Sequence, residues 1–225
     1  MGAVLGVDGC RGGWVGVLWA DDCTVRVLGT IELSDLVQQA RALDELSAIA
    51  IDMPIDLPES APRESDALAR RRLGARSSSV FTTPMRAALH ATTHAEASAA
   101  NRAASGKGLS IQAFHLLPRI REVERWLADG AGIPLIEAHP ESSFVALAGG
   151  PLIHSKRTVQ GASERRLLLR SVGAEPPTER LEVPAGVDDV LDAAAAAWTA
   201  RRFVTGTAER LPAEPRGDLS PAIWI

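Results

Sequence analysis

The chain of 225 residues carries 24 Lys and Arg against 28 Asp and Glu, which gives a formal net charge of −4. This acidic balance argues against a protein that coats DNA along its length, because phosphate binding of that kind requires a basic surface. All apolar runs are shorter than a membrane span, and no basic leader precedes the first predicted strand. The sequence therefore predicts a cytoplasmic protein with no membrane partner.

The first third of the chain predicts three β-strands followed by a helix and a fourth strand. The first strands are expected at 3–9, 14–20 and 24–33, where short β-branched segments are separated by Gly or Asp-Asp. The connections DGCRGG and ADDC are of the hairpin type and predict an antiparallel meander. A helix is expected to begin at Ser34, and a buried strand follows over 47–55.

The middle of the chain, residues 56–127, predicts a helical insertion. Helical patterns occur in RESDALARRRLGA and LLPRIREVERWLADG, and the polar segments SSSVFTTP and NRAASGKGLS between them predict loops. Between Arg63 and Arg125 there are 11 basic and 5 acidic residues. A basic surplus on an acidic frame either guides a phosphate-bearing ligand or forms a solvated helical surface.

The last third predicts one more strand and several helices. The strand is expected within 132–141, and the Ala-rich segment 183–204 predicts the most regular helix of the chain. The tail, 217–225, is expected to fold back on the core. Together the elements predict an α/β protein with a mixed five-stranded sheet, in which three antiparallel N-terminal strands precede parallel strands and helices cover both faces. The expected organisation is a single domain over 1–225 with the insertion at about 56–127.

Carboxylates recur at the ends of predicted strands and at the start of the last helix: Asp8, Asp52, Glu137, Asp188, Asp189 and Asp192. Acids that follow adjacent parallel strands meet at one edge of a sheet, and Asp189 and Asp192 share one helical face. Converging carboxylates require a cation, and their oxygens suit Mg²⁺ or Mn²⁺, which promote hydrolysis of phosphoryl groups. Each acid by itself is better explained as a cap, a turn former or a surface charge. The joint pattern favours a metal site.

Other polar side chains are candidates for proton transfer or substrate binding. His139 in EAHPESSF is expected either to relay a proton or to pack at the strand end with a backbone hydrogen bond. Arginine, serine and lysine side chains suit a phosphate group. The candidates for this role are Arg11, Arg72, Arg76, Ser78 and Lys156.

Six segments together resemble an uncharacterised family of predicted RNase H-like nucleases: GVDGCRGGW, IDMPIDLP, ARRRLGARSSSVF, EAHPESSF, SK and DDVLDAAAAAWTA. The resemblance covers nearly the whole chain and implies an RNase H-like fold. It places the first-strand acid of that fold at Asp8, the second acid at Asp52 and the late-helix acid at Asp189 or Asp192. The pair on the late helix is more similar to junction-resolving nucleases. The acid that RNase H carries on its first helix has no clear counterpart, and Glu137 is the candidate to replace it.

The residues and the resemblance predict a metal-dependent nuclease that hydrolyses phosphodiester bonds. The expected metal ligands are Asp8, Asp52, Glu137, Asp189 and Asp192, and His139 joins them as a catalytic residue. An acidic chain with few aromatic residues suits a short strand, a junction or a nucleotide better than a long duplex.

Two alternatives to a nuclease stay open. The first is an actin-like or sugar-kinase-type phosphate-binding protein, although such proteins need two domains to enclose ATP. The second is a non-catalytic nucleotide- or nucleic-acid-binding module, because a fold does not fix a function. The oligomeric state is open as well, with a homodimer among the options.

Overall fold

The computed structural model of the protein describes residues 2–130, 132–178, 180–214 and 221–225. This part of the chain has two compact units. The first unit consists of Met1–Met53, Ala131–Glu209 and Trp224–Ile225, and the second of Pro54–Gly130 and Arg210–Ile223. The second unit includes all residues that are expected to form the helical insertion.

The described strands are β1 Ala3–Cys10, β2 Gly13–Trp19, β3 Val25–Thr30, β4 Leu46–Ile51, β5 Leu135–Ala138, β6 Arg210–Leu211 and β7 Ile223–Trp224. They form one sheet in the order β3-β2-β1-β4-β5-β7-β6. β1, β2 and β3 pair antiparallel, and β4 lies parallel to both β1 and β5, as expected. The α/β class is confirmed, but the prediction of five strands is wrong. The additional strands, β6 and β7, have two residues each, which is too short to leave a periodic pattern in the sequence.

The described helices are α1 Leu33–Leu43, α2 Glu64–Leu73, α3 His94–Ser105, α4 Ile111–Ala128, α5 Pro140–Ala148, α6 Val159–Ser171 and α7 Val187–Val204. Short 3₁₀ segments lie at Gly74–Ser79 and Arg86–Ala88. The loop prediction for NRAASGKGLS is wrong in its first half, because a capping box between Thr93 and Glu96 starts α3 upstream of it. No helix in the described ranges has both the length and the apolar character needed to cross a bilayer.

Helices lie on both faces of the sheet, as the sequence predicts. Successive side chains of a strand point to opposite faces, so Leu5 and Gly6 of β1 belong to different faces. A Cβ atom at Gly6 would lie 2.0 Å from the carbonyl oxygen of Ala193, which shows that α7 lies directly against this face. On the other face, a Cβ atom at Gly16 would lie 3.1 Å from Leu5 and from Leu36 of α1.

Polar contacts near its C-terminal end fix α7 along the sheet. The guanidinium of Arg201 donates hydrogen bonds to the carbonyl oxygens of Trp19 and Ala20 at 2.8 and 3.0 Å. The buried hydroxyls of Ser143 and Thr199 lie 2.8 Å apart and hydrogen-bond α7 to α5. The middle of α7 is a run of alanines, which interlock little with the sheet. The polar contacts of Arg201 and Thr199 therefore do much to hold the helix in one position.

The end of the chain is buried where the structure describes it. Ile225 is fully buried and exchanges backbone hydrogen bonds of 2.8 and 2.9 Å with Glu209. The expectation that the tail folds back is therefore confirmed for its last residue. The residues 217–220 of the same predicted segment lie outside the described residues.

We predict that Gly6→Ala lowers the free energy of unfolding by about 3 kcal/mol. The added Cβ would lie 2.0 Å from the oxygen of Ala193 and 2.1 Å from the nitrogen of Ala197, and these backbone atoms move only if α7 moves. Denaturant unfolding followed by circular dichroism measures the change. Gly150→Ala is the matched control, because its Cβ would meet nothing within 4 Å. Equal stabilities for the two variants would contradict the prediction.

Candidate metal centre

The first two carboxylates of the centre come from the ends of neighbouring parallel strands. Asp8 lies two residues after Gly6 and therefore on the same face of β1, the face that α7 covers. In β4, Ala50 lies opposite Gly6, and the backbone N–H of Asp52 donates to the carbonyl of Val7 at 2.9 Å. The register therefore places Asp52 beside Asp8 at the carboxyl edge of the sheet.

The third carboxylate, that of Asp192, comes from α7. Asp192 directly precedes Ala193, whose backbone lies against Gly6, so the close packing of this helix brings Asp192 to the strand ends. One carboxylate oxygen from each of Asp8, Asp52 and Asp192 lies within 4.8 Å of the other two. Asp192 is buried, whereas Asp8 and Asp52 are half-buried. Within the described ranges no other group of three His, Cys, Asp or Glu side chains meets this distance.

A lysine places a positive charge among these acids. The Nζ atom of Lys156 lies 2.5 Å from Oδ2 of Asp192. Burial by itself would lower the pKa of Lys156. The charge and the hydrogen bond of Asp192, together with the charges of Asp52 and Asp8, outweigh burial and raise the pKa above its ordinary value. Lys156 therefore stays protonated, and it is the candidate substrate-binding residue that the first unit brings to the acids.

The acids are costly to ionise together in spite of this lysine. Burial is the largest cause that raises the pKa of Asp8 well above its usual range, followed by the charge of Asp52. Burial raises the pKa of Asp52 to about 7 and that of Asp192 to about 6, although Lys156 lowers both. A single ammonium does not fully compensate three carboxylates at this distance.

Asp189 lies one turn before Asp192 but has a different contact. Its Oδ2 atom accepts a hydrogen bond from the backbone N–H of Gly186 at 2.8 Å and caps the N-terminal end of α7. The charge of Asp189 still raises the pKa of Asp8. Of the two helix acids that the sequence leaves as alternatives, the structure brings Asp192 into the carboxylate cluster.

Glu137 and His139 lie near the centre without joining the cluster. The register pairs Glu137 with Ile51 rather than with Asp52, which assigns Glu137 to the opposite face of the sheet. Glu137 is buried, and its charge raises the pKa of Asp52. His139 is the N-cap of α5, where its Nδ1 atom accepts from the backbone N–H of Ser142 at 3.2 Å. This contact matches the interpretation of His139 as a histidine held by the backbone at a strand end.

The other predicted phosphate-binding residues lie in the turn after β1 and in the second unit. Arg11 is exposed in the turn between β1 and β2. Arg72 lies at the end of α2, and Arg76 and Ser78 lie in the following 3₁₀ segment, so all three belong to the second unit.

Sequence reasoning missed the residues that hold the loop of Lys156. Glu164 of α6 accepts hydrogen bonds from the backbone N–H groups of Ile153 and His154 at 2.9 and 3.0 Å. Arg165, which is fully buried, donates to the carbonyl of His154 at 3.3 Å. The sequence pattern of α6 assigns charged residues to a solvated face, and no spacing rule identifies a buried arginine among them.

The comparisons with known proteins identify a family. Residues 6–217 match the family model described as "Protein of unknown function (DUF429)". The chain belongs to this family. The match includes Asp8, Asp52 and Asp192, and it confirms the resemblance to an uncharacterised family, whereas the RNase H-like relationship stays a prediction. No curated protein and no solved structure gave a match.

We predict that Asp52→Asn stabilises the metal-free protein at pH 8 by about 1–2 kcal/mol. Between the ordinary pKa of 3.8 and the folded-state pKa of about 7, the folded protein holds the Asp52 proton more tightly than the unfolded chain does. The contribution of Asp52 to stability is therefore present below pH 4 and is lost as the pH rises through 7.

Denaturant unfolding of both proteins in a chelator, at pH 4 and at pH 8, measures this difference. The advantage of Asp52→Asn should grow between the two pH values. Asp188→Asn, which changes a neighbouring acid of α7 outside the cluster, should follow the wild type. An advantage that shrinks with rising pH would contradict the assigned direction.

Proposed function

We propose that this protein is a metal-dependent hydrolase of phosphodiester bonds, a nuclease for a short strand, a junction or a nucleotide. The observation that supports the proposal is the convergence of Asp8, Asp52 and Asp192 within 4.8 Å at the carboxyl edge of parallel strands. In open α/β sheets this edge is the usual place for a binding site. Packing of the fold does not require three acids there, because their joint ionisation is unfavourable.

The carboxylate cluster fits a divalent cation such as Mg²⁺ or Mn²⁺ in geometry. Mg²⁺ binds oxygen at about 2.0–2.1 Å, so two ligand oxygens on opposite sides of the ion lie about 4.2 Å apart. The three oxygens lie within 4.8 Å of one another, and movement of the side chains would bring them to the octahedral separations of about 2.9–4.2 Å. The all-oxygen ligand set also suits these ions better than zinc or copper.

The charges of the cluster fit the same ion. Three ionised carboxylates and one ammonium leave two negative charges, which one divalent cation neutralises. When bound, such a cation polarises a phosphoryl oxygen and lowers the pKa of a coordinated water. We assign Asp8, Asp52 and Asp192 as ligands, while Asp189 and Glu137 add negative potential from outside the cluster.

The side chains of the centre suit different tasks. Asp8 and Asp52 are half-buried and keep a path to solvent, which a substrate needs in order to reach them. The side chain of Lys156 is 42% exposed, so its remaining N–H groups are available for a phosphate oxygen of the substrate. Asp192, which is buried, keeps Lys156 in this position.

The topology supports an RNase H-like relationship as part of the proposal. An antiparallel meander of three strands precedes two parallel strands, and a helix packs on the face that carries the acids. One carboxylate lies near the end of β1, a second directly follows β4, and a third lies on α7. These are the positions to which the sequence resemblance assigns the acids of that fold.

We predict that the wild-type protein cleaves a labelled single strand or four-way junction in Mn²⁺ or Mg²⁺ and not in a chelator. Asp8→Asn should lower the cleavage rate by at least about 100-fold, because it removes a ligand charge from the cluster. Gel electrophoresis of the products measures the rates, and circular dichroism checks that the variant is folded. Asp188→Asn should retain the wild-type rate within about twofold.

The same assay separates the alternatives. Absence of metal-dependent cleavage in the wild type, or an undiminished rate in Asp8→Asn, would refute the nuclease proposal. Release of phosphate from ATP without cleavage of nucleic acid would favour the kinase-type alternative. Ligand-dependent thermal stabilisation without turnover would favour a binding module.

A further inference from the structure

The ammonium of Lys156 contacts the carboxylate cluster of Asp8, Asp52 and Asp192. Its Nζ atom lies 2.5 Å from Oδ2 of Asp192, whose side chain is only 4% exposed. An ammonium at this distance takes an oxygen that would otherwise be free to bind a second ion. We propose that Lys156 replaces a second metal ion, so that the centre binds one divalent cation and not two. This inference rests on the proposed function and specifies the metal content of the same site.

The backbone on both sides of Lys156 is fixed. Upstream, Glu164 and Arg165 hold His154 through its N–H and its carbonyl oxygen. Downstream, the hydroxyl of Thr158 donates to the carbonyl of Ser155 at 2.8 Å and accepts from the N–H of Gly161, which caps α6. The loop therefore presents Lys156 to the acids in a fixed position, unlike a surface lysine that swings freely.

The anchor of this loop is itself rigid. Arg165 is fully buried and forms an ion pair of 2.6 Å with Glu141 of α5. Its guanidinium carbon lies 5.2 Å from the centre of the Phe144 ring. A buried ion pair is costly to break, so the contacts of Arg165 keep the loop in one conformation. The position of Lys156 is thus determined by packing as well as by attraction to Asp192.

Charge balance favours one divalent ion next to this lysine. With Lys156 protonated, a single divalent cation brings the cluster to neutrality, and a second would leave two uncompensated positive charges among side chains that are buried or half-buried. Pairs of catalytic metal ions lie about 3.5–4 Å apart and commonly share a carboxylate. Asp192 is the buried member of the cluster, and its Oδ2 atom is already bound to Lys156.

The test measures how many Mn²⁺ ions the full-length protein binds at pH 7.5, by isothermal titration calorimetry and by electron paramagnetic resonance. The wild type should bind one ion with the spectrum of an isolated Mn²⁺. Lys156→Gln should bind two ions and show the spectrum of a spin-coupled pair. Arg157→Gln removes the same charge from the adjacent, exposed position and should bind one ion. Lys156→Met repeats the test if the Gln variant folds poorly.

The number of bound ions tests the role of Lys156 and the proposed function separately. Two ions in the wild type, or one ion in both Lys156 variants, would overturn the role of Lys156 and leave the proposed function intact. No ion in any of the proteins would overturn the proposed function and the inference with it. No ion in the wild type but one in the Lys156 variants would overturn both, because Lys156 would then be the resident cation of a centre without metal.

Discussion

The contact between Gly6 and α7 determines where the acids of this protein lie. No side chain larger than hydrogen fits between β1 and the backbone of Ala193, and the helix therefore lies directly on the strand. Alternation along β1 places Asp8 on the same face, and helical connectivity places Asp192 next to Ala193. Parallel pairing then adds Asp52 at the neighbouring strand end. The close contact of Gly6 with α7 and the parallel pairing of β1 with β4 thus bring together acids that are far apart in the sequence.

This packing creates an electrostatic cost that the protein only partly offsets. Burial raises the pKa of each of the three acids, and the charges of neighbouring acids add to the effect. Lys156 reduces the repulsion, and its loop is held by a buried arginine that has no contact with solvent. An unfavourable charge cluster with such support is typical of a functional site, where stability is given up for chemistry.

Much of the sheet and part of the site could be predicted from the sequence. The hairpin turns and apolar strand segments predict β1 to β5, and they place Asp8 and Asp52 at strand ends. The pattern cannot separate Asp189 from Asp192, because residues three apart share a helical face. The structure distinguishes them, because Asp189 accepts a hydrogen bond from the backbone N–H of Gly186, whereas Asp192 joins the carboxylate cluster and contacts Lys156. The sequence also assigns Glu137 to the cluster, because a strand that is apolar throughout does not reveal which face a residue occupies. Pairing with Ile51 places Glu137 on the other face of the sheet.

The alanine run of α7 affects how firmly Asp192 is held beside Asp8 and Asp52. Alanine side chains are short, so they allow α7 to pack closely on the sheet but do little to prevent a shift of the helix along its axis. The hydrogen bonds from Arg201 to the carbonyls of Trp19 and Ala20 help to fix that axial position. Arg201 lies nine residues beyond Asp192, about 14 Å along the helix axis. Because the helix between them is rigid, the position of Arg201 fixes the axial position of Asp192. The contacts of Arg201 at the opposite ends of the strands thereby help to position Asp192 relative to Asp8 and Asp52.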